Sequence, residues 1–122
     1  MEDLPMNFLS RVNQIIETRL SDENFTIELL CKELAISYSH TYRKIRQETG
    51  LSPSMYVCKK RLETAQYLMA KPGLSLGEIA FRVGFNTQAY FSKCFADIYG
   101  MPPLKYRRKL KQNEKMQGMN QI

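Results

Sequence analysis

The chain has 122 residues, of which 43% are hydrophobic and 25% are charged, and its formal net charge is +6. This length and balance predict one compact folded domain and exclude a disordered chain. No apolar run approaches the roughly 20 residues that cross a bilayer, and the acidic start MEDLPMNFLS lacks the pattern of a signal peptide, so we expect a cytoplasmic protein that makes no use of a membrane.

The first part of the chain predicts three helices. Apolar residues recur at three- and four-residue steps over about residues 7–20, which is the pattern of an amphipathic helix. Thr26 is the expected N-cap of a second helix, since its hydroxyl can accept a hydrogen bond from the first turn. Ser37 is the expected N-cap of a third helix, which we expect to end at Gly50.

Four further helices are predicted after residue 50. Ser52–Pro53 is a start signal for a long fourth helix, and Pro72–Gly73 ends it. Ser75–Glu78 is a capping box that predicts a short fifth helix. Asn86 is the expected N-cap of a sixth helix and Pro103 opens a seventh. With no convincing strand pattern, the predicted fold class is all-α with about seven helices.

Part of the chain is repeated. The strings GLSPSMY and GMPPLKY start 50 residues apart, and the similarity extends over residues 26–56 and 75–106. Ser37 pairs with Asn86 at an offset of 49 residues and Gly50 with Gly100 at an offset of 50, so the second copy has one extra residue between them. Each copy has a short helix, a short turn and a longer helix, which is the outline of a helix-turn-helix unit.

This repeat predicts the domain organisation. Residues 1–111 would form a single domain, with one helix-turn-helix subdomain at about 7–51 and another at about 74–111. A linker helix at about 53–71 would join the two subdomains and would be roughly 27 Å long at 1.5 Å per residue. The segment QNEKMQGMNQI, residues 112–122, is predicted to be a flexible tail.

The charge is unevenly distributed along the chain. Residues 1–33 hold seven acidic and three basic residues, whereas residues 34–122 hold fifteen basic and five acidic residues. A polarised basic region favours a polyanionic partner. With His40 as the only histidine and three widely spaced cysteines, we expect no metal and no cofactor. Without a phosphate-binding glycine loop or paired carboxylates, we also expect no enzyme.

The order of several short strings carries a resemblance to a known family. These strings are Gly50-x-Ser-Pro-x-x-Tyr56, Glu78-Ile-Ala80, Gly84-Phe85, Tyr90-Phe-Ser-Lys-x-Phe95 and Gly100-x-x-Pro-x-x-Tyr-Arg107. In them the chain resembles the DNA-binding domain of the arabinose-regulator (AraC/XylS) family of bacterial transcription factors. The opening residues look more like the output domains of hybrid two-component regulators. The resemblance implies two helix-turn-helix units, each with a recognition helix in a major groove of double-stranded DNA.

The resemblance also implies which residues contact the bases. In the first unit it implies contacts by Ser39, Tyr42 and Arg43, since arginine pairs with guanine. The matching residues of the second unit are Gln88, Ala89, Tyr90 and Lys93.

A second group of residues is expected to contact DNA phosphates. They are polar or basic residues at helix N-termini, on recognition helices or in basic clusters: Ser37, His40, Arg46, Asn86, Lys59, Lys105, Arg107 and Arg108. Asp97 and small neighbours on the second recognition helix predict weaker base reading there.

Two further partners are expected, RNA polymerase and an upstream sensor or receiver domain in the full-length protein. The main alternative function is a helical protein-interaction module that does not bind nucleic acid.

Overall fold

The computed structural model describes the backbone of residues 7–120 and the side chains of residues 7–115. This part of the chain contains seven α-helices and no strand, which confirms the predicted fold class. The helices, in chain order, are α1 (Phe8–Thr18), α2 (Ile27–Leu34), α3 (Tyr38–Thr49), α4 (Pro53–Met69), α5 (Leu76–Arg82), α6 (Gln88–Tyr99) and α7 (Pro103–Asn120).

The backbone divides into two compact units, and the boundary falls inside α4, between Lys60 and Arg61. The predicted subdomains at about 7–51 and 74–111 each fall within one unit. The beginning of the predicted domain, residues 1–6, lies outside the described residues.

The first unit packs α1 on α2 and α2 on α3. Its core is apolar and is built from the inward face of each helix together with the start of α4: Val12, Ile16, Phe25, Leu30, Leu34, Ile45, Tyr56 and Val57. The Tyr56 hydroxyl donates a hydrogen bond to Asn13 Oδ1 on α1. The tyrosine of the repeated Pro-x-x-Tyr string therefore holds α4 against α1 within this unit.

The second unit packs α5 on α6 and α6 on α7. An aromatic chain runs through its core, in which Phe85 meets Phe91, Phe91 meets Phe95, and Phe95 meets Tyr106 at ring-centroid distances of 5.3–5.9 Å. The Tyr106 hydroxyl accepts a hydrogen bond from Gln66 Nε2 on α4, 3.1 Å away. Tyr106 thus repeats in the second unit the part that Tyr56 plays in the first.

Tyr99 lies beside this aromatic chain, with its ring 4.7 Å from that of Phe95. The pKa of the Tyr99 phenol is raised to about 12, chiefly by burial and also by the neighbouring Glu63 and Tyr106 side chains. The phenol therefore stays neutral well above its ordinary range, because an anion there would lose water and face a carboxylate.

Most of the predicted helix caps are confirmed. The side chains of Thr26, Ser37 and Ser75 each accept a hydrogen bond from the backbone N–H three residues later. Helices α3 and α6 end at Gly50 and Gly100, whose φ angles of 77° and 76° lie in the left-handed region that glycine adopts without strain.

One predicted cap is wrong. Asn86 does not cap α6; Thr87 does, and its Oγ1 accepts a hydrogen bond from the backbone N–H of Tyr90. The turn before α3 and the turn before α6 close in the same way as far as Ile36 and Phe85. The backbone N–H of each of these two residues donates a hydrogen bond to the carbonyl oxygen five residues earlier. The caps Ser37 and Thr87 are therefore equivalent at an offset of 50 residues, and the extra residue of the second copy is Asn86 itself.

Helix α7 differs in length from its prediction. It continues to Asn120, whereas the sequence predicted that ordered structure would end at residue 111. Residues 112–117 are glutamine, asparagine, glutamate, lysine and methionine, most of which favour helix without any apolar stripe. Whether this segment is flexible stays a prediction, and its last two residues, 121–122, lie outside the described part of the chain.

Candidate nucleic-acid interface

Helix α3 is oriented by its buried side. Ile45 and Thr41 are fully buried on the face that packs against α2. The Thr41 Oγ1 donates a hydrogen bond to the Ser37 carbonyl oxygen, 2.9 Å away. The buried hydroxyl is therefore satisfied inside its own helix, and the opposite side of α3 faces solvent.

That solvent-facing side carries a continuous polar stripe, which we call the α3 stripe: Ser39, Tyr42, Arg43 and Arg46. All four side chains are exposed. Their spacing of three, one and three residues places them on one face of a helix, one above the other. The α3 stripe contains two arginines and no carboxylate, so it presents net positive charge along more than one helical turn.

Arg43 is free to contact a partner. In the described part of the chain its side chain has no hydrogen bond and no ion pair. The neighbouring Lys44 differs, because it is half-buried with its Nζ 4.6 Å from the centre of the Phe8 ring on α1. Of these two adjacent basic residues, Arg43 therefore faces solvent and Lys44 packs within the first unit.

An exposed tyrosine that the sequence analysis did not select joins the α3 stripe. Tyr38 is the first residue of α3, and its ring stacks near that of Tyr42 with a centroid distance of 6.4 Å and an interplanar angle of 29°. Both rings are exposed, by 51% and 40%. The four-residue step between the two tyrosines was the signal in the sequence, since residues at that spacing are neighbours on a helix surface.

Helix α6 presents a different surface in the second unit. Phe91, Cys94 and Phe95 are buried, and the predicted base contacts on the opposite side are all exposed: Gln88, Ala89, Tyr90 and Lys93. Lys93 is the counterpart of Arg43. The α6 surface also carries the exposed Asp97, four residues after Lys93, so its net charge is lower than that of the α3 stripe.

Tyr90 combines exposure with a fixed position. Its side chain is 51% exposed, and the edge of its ring lies against Phe85, with the ring centroids 5.8 Å apart. Because Phe85 is buried in the turn between α5 and α6, the Tyr90 ring is supported by the core and still reaches solvent.

The residues expected to contact phosphates lie in several places. Ser37 and His40 are exposed at the start of α3, where Ser37 Oγ accepts the His40 backbone N–H at 3.1 Å. Asn86 is exposed in the turn before α6, but Thr87 occupies the capping position equivalent to Ser37. Thr87 was missed because two adjacent residues were both suitable caps.

The basic residues of α4 and α7 divide into two groups. Lys59, Lys105 and Arg108 are exposed. Arg107 is half-buried instead, and its Nη2 donates to the Lys71 carbonyl at 3.3 Å within the second unit. The structure therefore separates Arg107 from the exposed basic residues with which the sequence grouped it.

Two other kinds of feature are absent from the described residues, a metal-binding cluster and a membrane span. No group of three or more histidine, cysteine, aspartate or glutamate side chains in that part of the chain is arranged to hold a metal ion. Within the same residues, no helix combines the length and apolarity required of a membrane span.

Known proteins with the same architecture are found by comparison of both sequence and structure. A family model described as "Helix-turn-helix domain" matches residues 30–109. Among solved structures, the C-terminal domain of AraT, a response regulator from Geobacillus stearothermophilus, is 36% identical with a TM-score of 0.76, over 85% of this chain and 86% of that chain. The DNA-binding domain of AdpA, a global transcriptional factor solved in complex with a target DNA, is 25% identical with a TM-score of 0.78, over 88% of this chain and 96% of that chain.

A full-length regulatory protein is also similar in sequence to this chain. The Msm operon regulatory protein of Streptococcus mutans is 32% identical over 87% of this chain, and the matched region makes up 38% of that regulator's length. A chain with two helix-turn-helix units, each presenting an exposed second helix, belongs to the class of helix-turn-helix proteins. Within that class, the chain belongs to the AraC-type helix-turn-helix family, as its sequence resemblance predicted.

Proposed function

We propose that this chain is a sequence-specific double-stranded DNA-binding domain of a bacterial transcription regulator. In this proposal α3 and α6 are recognition helices that read two successive major grooves. The single observation that carries it is the α3 stripe, because its exposed Ser39 and Arg43 are of the residue types that hydrogen-bond base edges. The similarity to the AdpA domain, which was solved with a target DNA, supports the same function.

The base contacts of the first unit follow from side-chain chemistry. Arg43 donates two hydrogen bonds to a guanine, since its planar guanidinium matches the guanine O6 and N7 acceptors. Ser39 hydrogen-bonds a base edge one turn earlier on the same face. The Tyr42 ring, supported by Tyr38, contacts a thymine methyl group or a phosphate.

The second unit reads fewer bases in this proposal. Gln88 suits adenine, and Lys93 suits guanine or a phosphate. Ala89 is small enough for a thymine methyl group to approach, and Tyr90 lies beside it. Because Asp97 lowers the positive charge of this surface, we expect α6 to contribute less affinity than α3.

The exposed polar and basic residues around these helices would contact phosphates and so fix the position of the protein on the duplex without reading sequence. We assign this part to Ser37, His40, Arg46, Lys59, Asn86, Lys105 and Arg108, and we add Thr87 because it is the structural equivalent of Ser37. We place no exposed phosphate contact at Arg107, whose guanidinium is bonded inside the second unit.

The whole regulator is expected to contain more than this domain. The chain spans 38% of the length of the regulator from Streptococcus mutans, and the AraT domain is the C-terminal part of a response regulator. We therefore propose an upstream sensor or receiver domain, a cytoplasmic location and RNA polymerase as the partner through which transcription changes. We propose no enzymatic activity for this domain, since its relatives named here are regulatory proteins.

The test is selection of a binding site from a random duplex pool, followed by an affinity series over salt. We expect one chain to protect roughly two helical turns with two unlike half-sites, because α3 and α6 differ in sequence. We expect the selected duplex to bind at least about 1,000-fold more tightly than a scrambled one, the low end of known specificity ratios. No saturable binding to any duplex at low salt would favour a protein-interaction module instead.

A further inference from the structure

A cavity of about 390 Å³ lies in the second unit, apart from both recognition helices. One wall is formed by the end of α4 and the turn that follows, residues 69–74, and the other by one face of α7. This volume lies within the range of small-molecule sites in proteins. Neither the base contacts nor the exposed phosphate contacts proposed above use it.

The cavity is positively charged. Lys71, Arg107 and Lys111 contribute three positive charges, and Glu114 contributes one negative charge, which leaves a net charge of +2. Arg107, Lys111 and Glu114 are four and three residues apart, so they lie along one face of α7. In the described part of the chain, neither lysine forms an ion pair with Glu114 or with any other carboxylate.

Arg107 is incompletely satisfied. Its Nη2 makes a long hydrogen bond of 3.3 Å to a neutral acceptor, the Lys71 carbonyl. Its Nε is buried and has no hydrogen-bond partner. A buried guanidinium N–H without an acceptor is unfavourable, and native structures seldom leave one. An oxyanion in the cavity would give this side chain the acceptor that the second unit lacks, after a small rotation of the guanidinium.

We propose that the cavity is a phosphate-binding site. An arginine fork with two lysines is the side-chain set that recognises phosphate oxygens. The net charge of +2 favours a phosphate monoester, which carries close to two negative charges at neutral pH, over a singly charged diester. The apolar part of the wall, contributed by Met69, Leu74 and Leu110, leaves room for a small organic group attached to the phosphate.

The test is a titration of the isotope-labelled chain with glycerol 3-phosphate at constant ionic strength and without DNA, followed by nuclear magnetic resonance. We expect saturable shifts of the Gly73 amide and of the Arg107 Nε–H signal, with a Kd on the order of 1 mM. The double variant Lys71→Gln/Lys111→Gln should weaken binding at least about 10-fold. The matched control Lys115→Gln removes one charge from α7 outside the cavity and should change the affinity less than about 2-fold.

Absence of saturable shifts would overturn the proposal. An equal loss in the Lys115→Gln control would do so too, because it would show attraction to net charge alone. If the double variant fails to fold, Arg107→Lys serves instead, since it keeps the charge and removes the fork, and it should weaken binding at least about 3-fold.

A second arm identifies the source of the phosphate. A duplex with 5′-hydroxyl ends carries only diesters. If it moves the Arg107 Nε–H signal and competes with glycerol 3-phosphate, the cavity receives a DNA backbone phosphate; if it does neither while glycerol 3-phosphate binds, the ligand is a free monoester. Because the first titration contains no DNA, its failure would leave the proposed DNA-binding function untouched.

Discussion

Replacing Arg43 by alanine tests the proposed reading of DNA most directly. Arg43 is exposed, and in the described residues its side chain has no hydrogen bond or ion pair that folding would lose. We therefore expect the free energy of unfolding to change by less than about 0.5 kcal/mol, as for other exposed positions. Any larger change in the free energy of DNA binding then reports a contact with DNA.

The magnitude follows from the kind of contact. A bidentate arginine–guanine pair contributes about 1–3 kcal/mol of discrimination, so Arg43→Ala should weaken binding to the selected duplex by about 5- to 150-fold. Binding to a scrambled duplex should fall much less, because only a general charge contribution is lost there. The preference at one base pair of the site should relax.

Arg46→Ala is the matched control, since it removes the same group from the same α3 stripe one turn further along. As a phosphate contact, Arg46 should weaken both duplexes alike and reduce the slope of log K against log salt by about 0.9. Fluorescence anisotropy over a salt series measures all of these quantities. Equal losses on selected and scrambled duplexes for Arg43→Ala would refute its role as a base contact.

Three other predictions concern α7, the buried threonine and the aromatic core. Neutralising the exposed basic residues Lys105, Arg108 and Lys109 with glutamine should weaken binding to all duplexes and flatten the salt slope by about one to three units, and an unchanged slope would mean that they face only solvent. Thr41→Val should be more stable to urea than Thr41→Ser by about 1 kcal/mol, because valine keeps the buried methyl group while the Ser37 carbonyl retains its hydrogen bond from the Thr41 backbone N–H. Tyr99 should titrate near pH 12 in the difference between the ultraviolet absorbance titrations of the unaltered chain and of Tyr99→Phe, and a difference centred near pH 10 would contradict its burial. Because its pKa is raised on folding, its contribution to stability is full below about pH 10 and is lost as the pH rises towards 12.

The helices were predictable because their signals are local. Thr26, Ser37 and Ser75 each form their capping bond with a residue three positions later, so the sequence already contains both partners. The prediction that Asn86 caps α6 was wrong because it too used only local signals, and by those signals Asn86 and the following Thr87 are equally good caps. In the structure Phe85, just before them, is buried in the core and the helix begins after Thr87, which the residue types alone do not distinguish from a start after Asn86.

The exposed residues on α3 were also predictable, because a helix with one buried face must present the other. Arg107 was not, because its partner, the Lys71 carbonyl, lies 36 residues away. The walls of the cavity also come from segments far apart in the sequence, residues 69–74 and α7. The sequence does not show this proximity, so the basic run at 105–111 looked uniformly exposed. Helix α7 is longer than predicted, because residues with high helix propensity can continue a helix without an apolar stripe.

Helices α3 and α6 have the same length and the same kinds of end. Each has 12 residues, begins after a hydroxyl cap and ends at a left-handed glycine, and the caps are 50 positions apart. Their buried faces differ, because the buried position that holds Thr41 in α3 holds Phe91 in α6. Exchanging the whole helices would therefore require repacking of both cores. The positions equivalent to the α3 stripe are 89, 92, 93 and 96, of which Ala89 and Lys93 are exposed and Ser92 and Ala96 are half-buried. If α3 reads DNA as proposed, grafting the α3 stripe there, with repacking around 92 and 96, would give a domain whose two units recognise the same half-site.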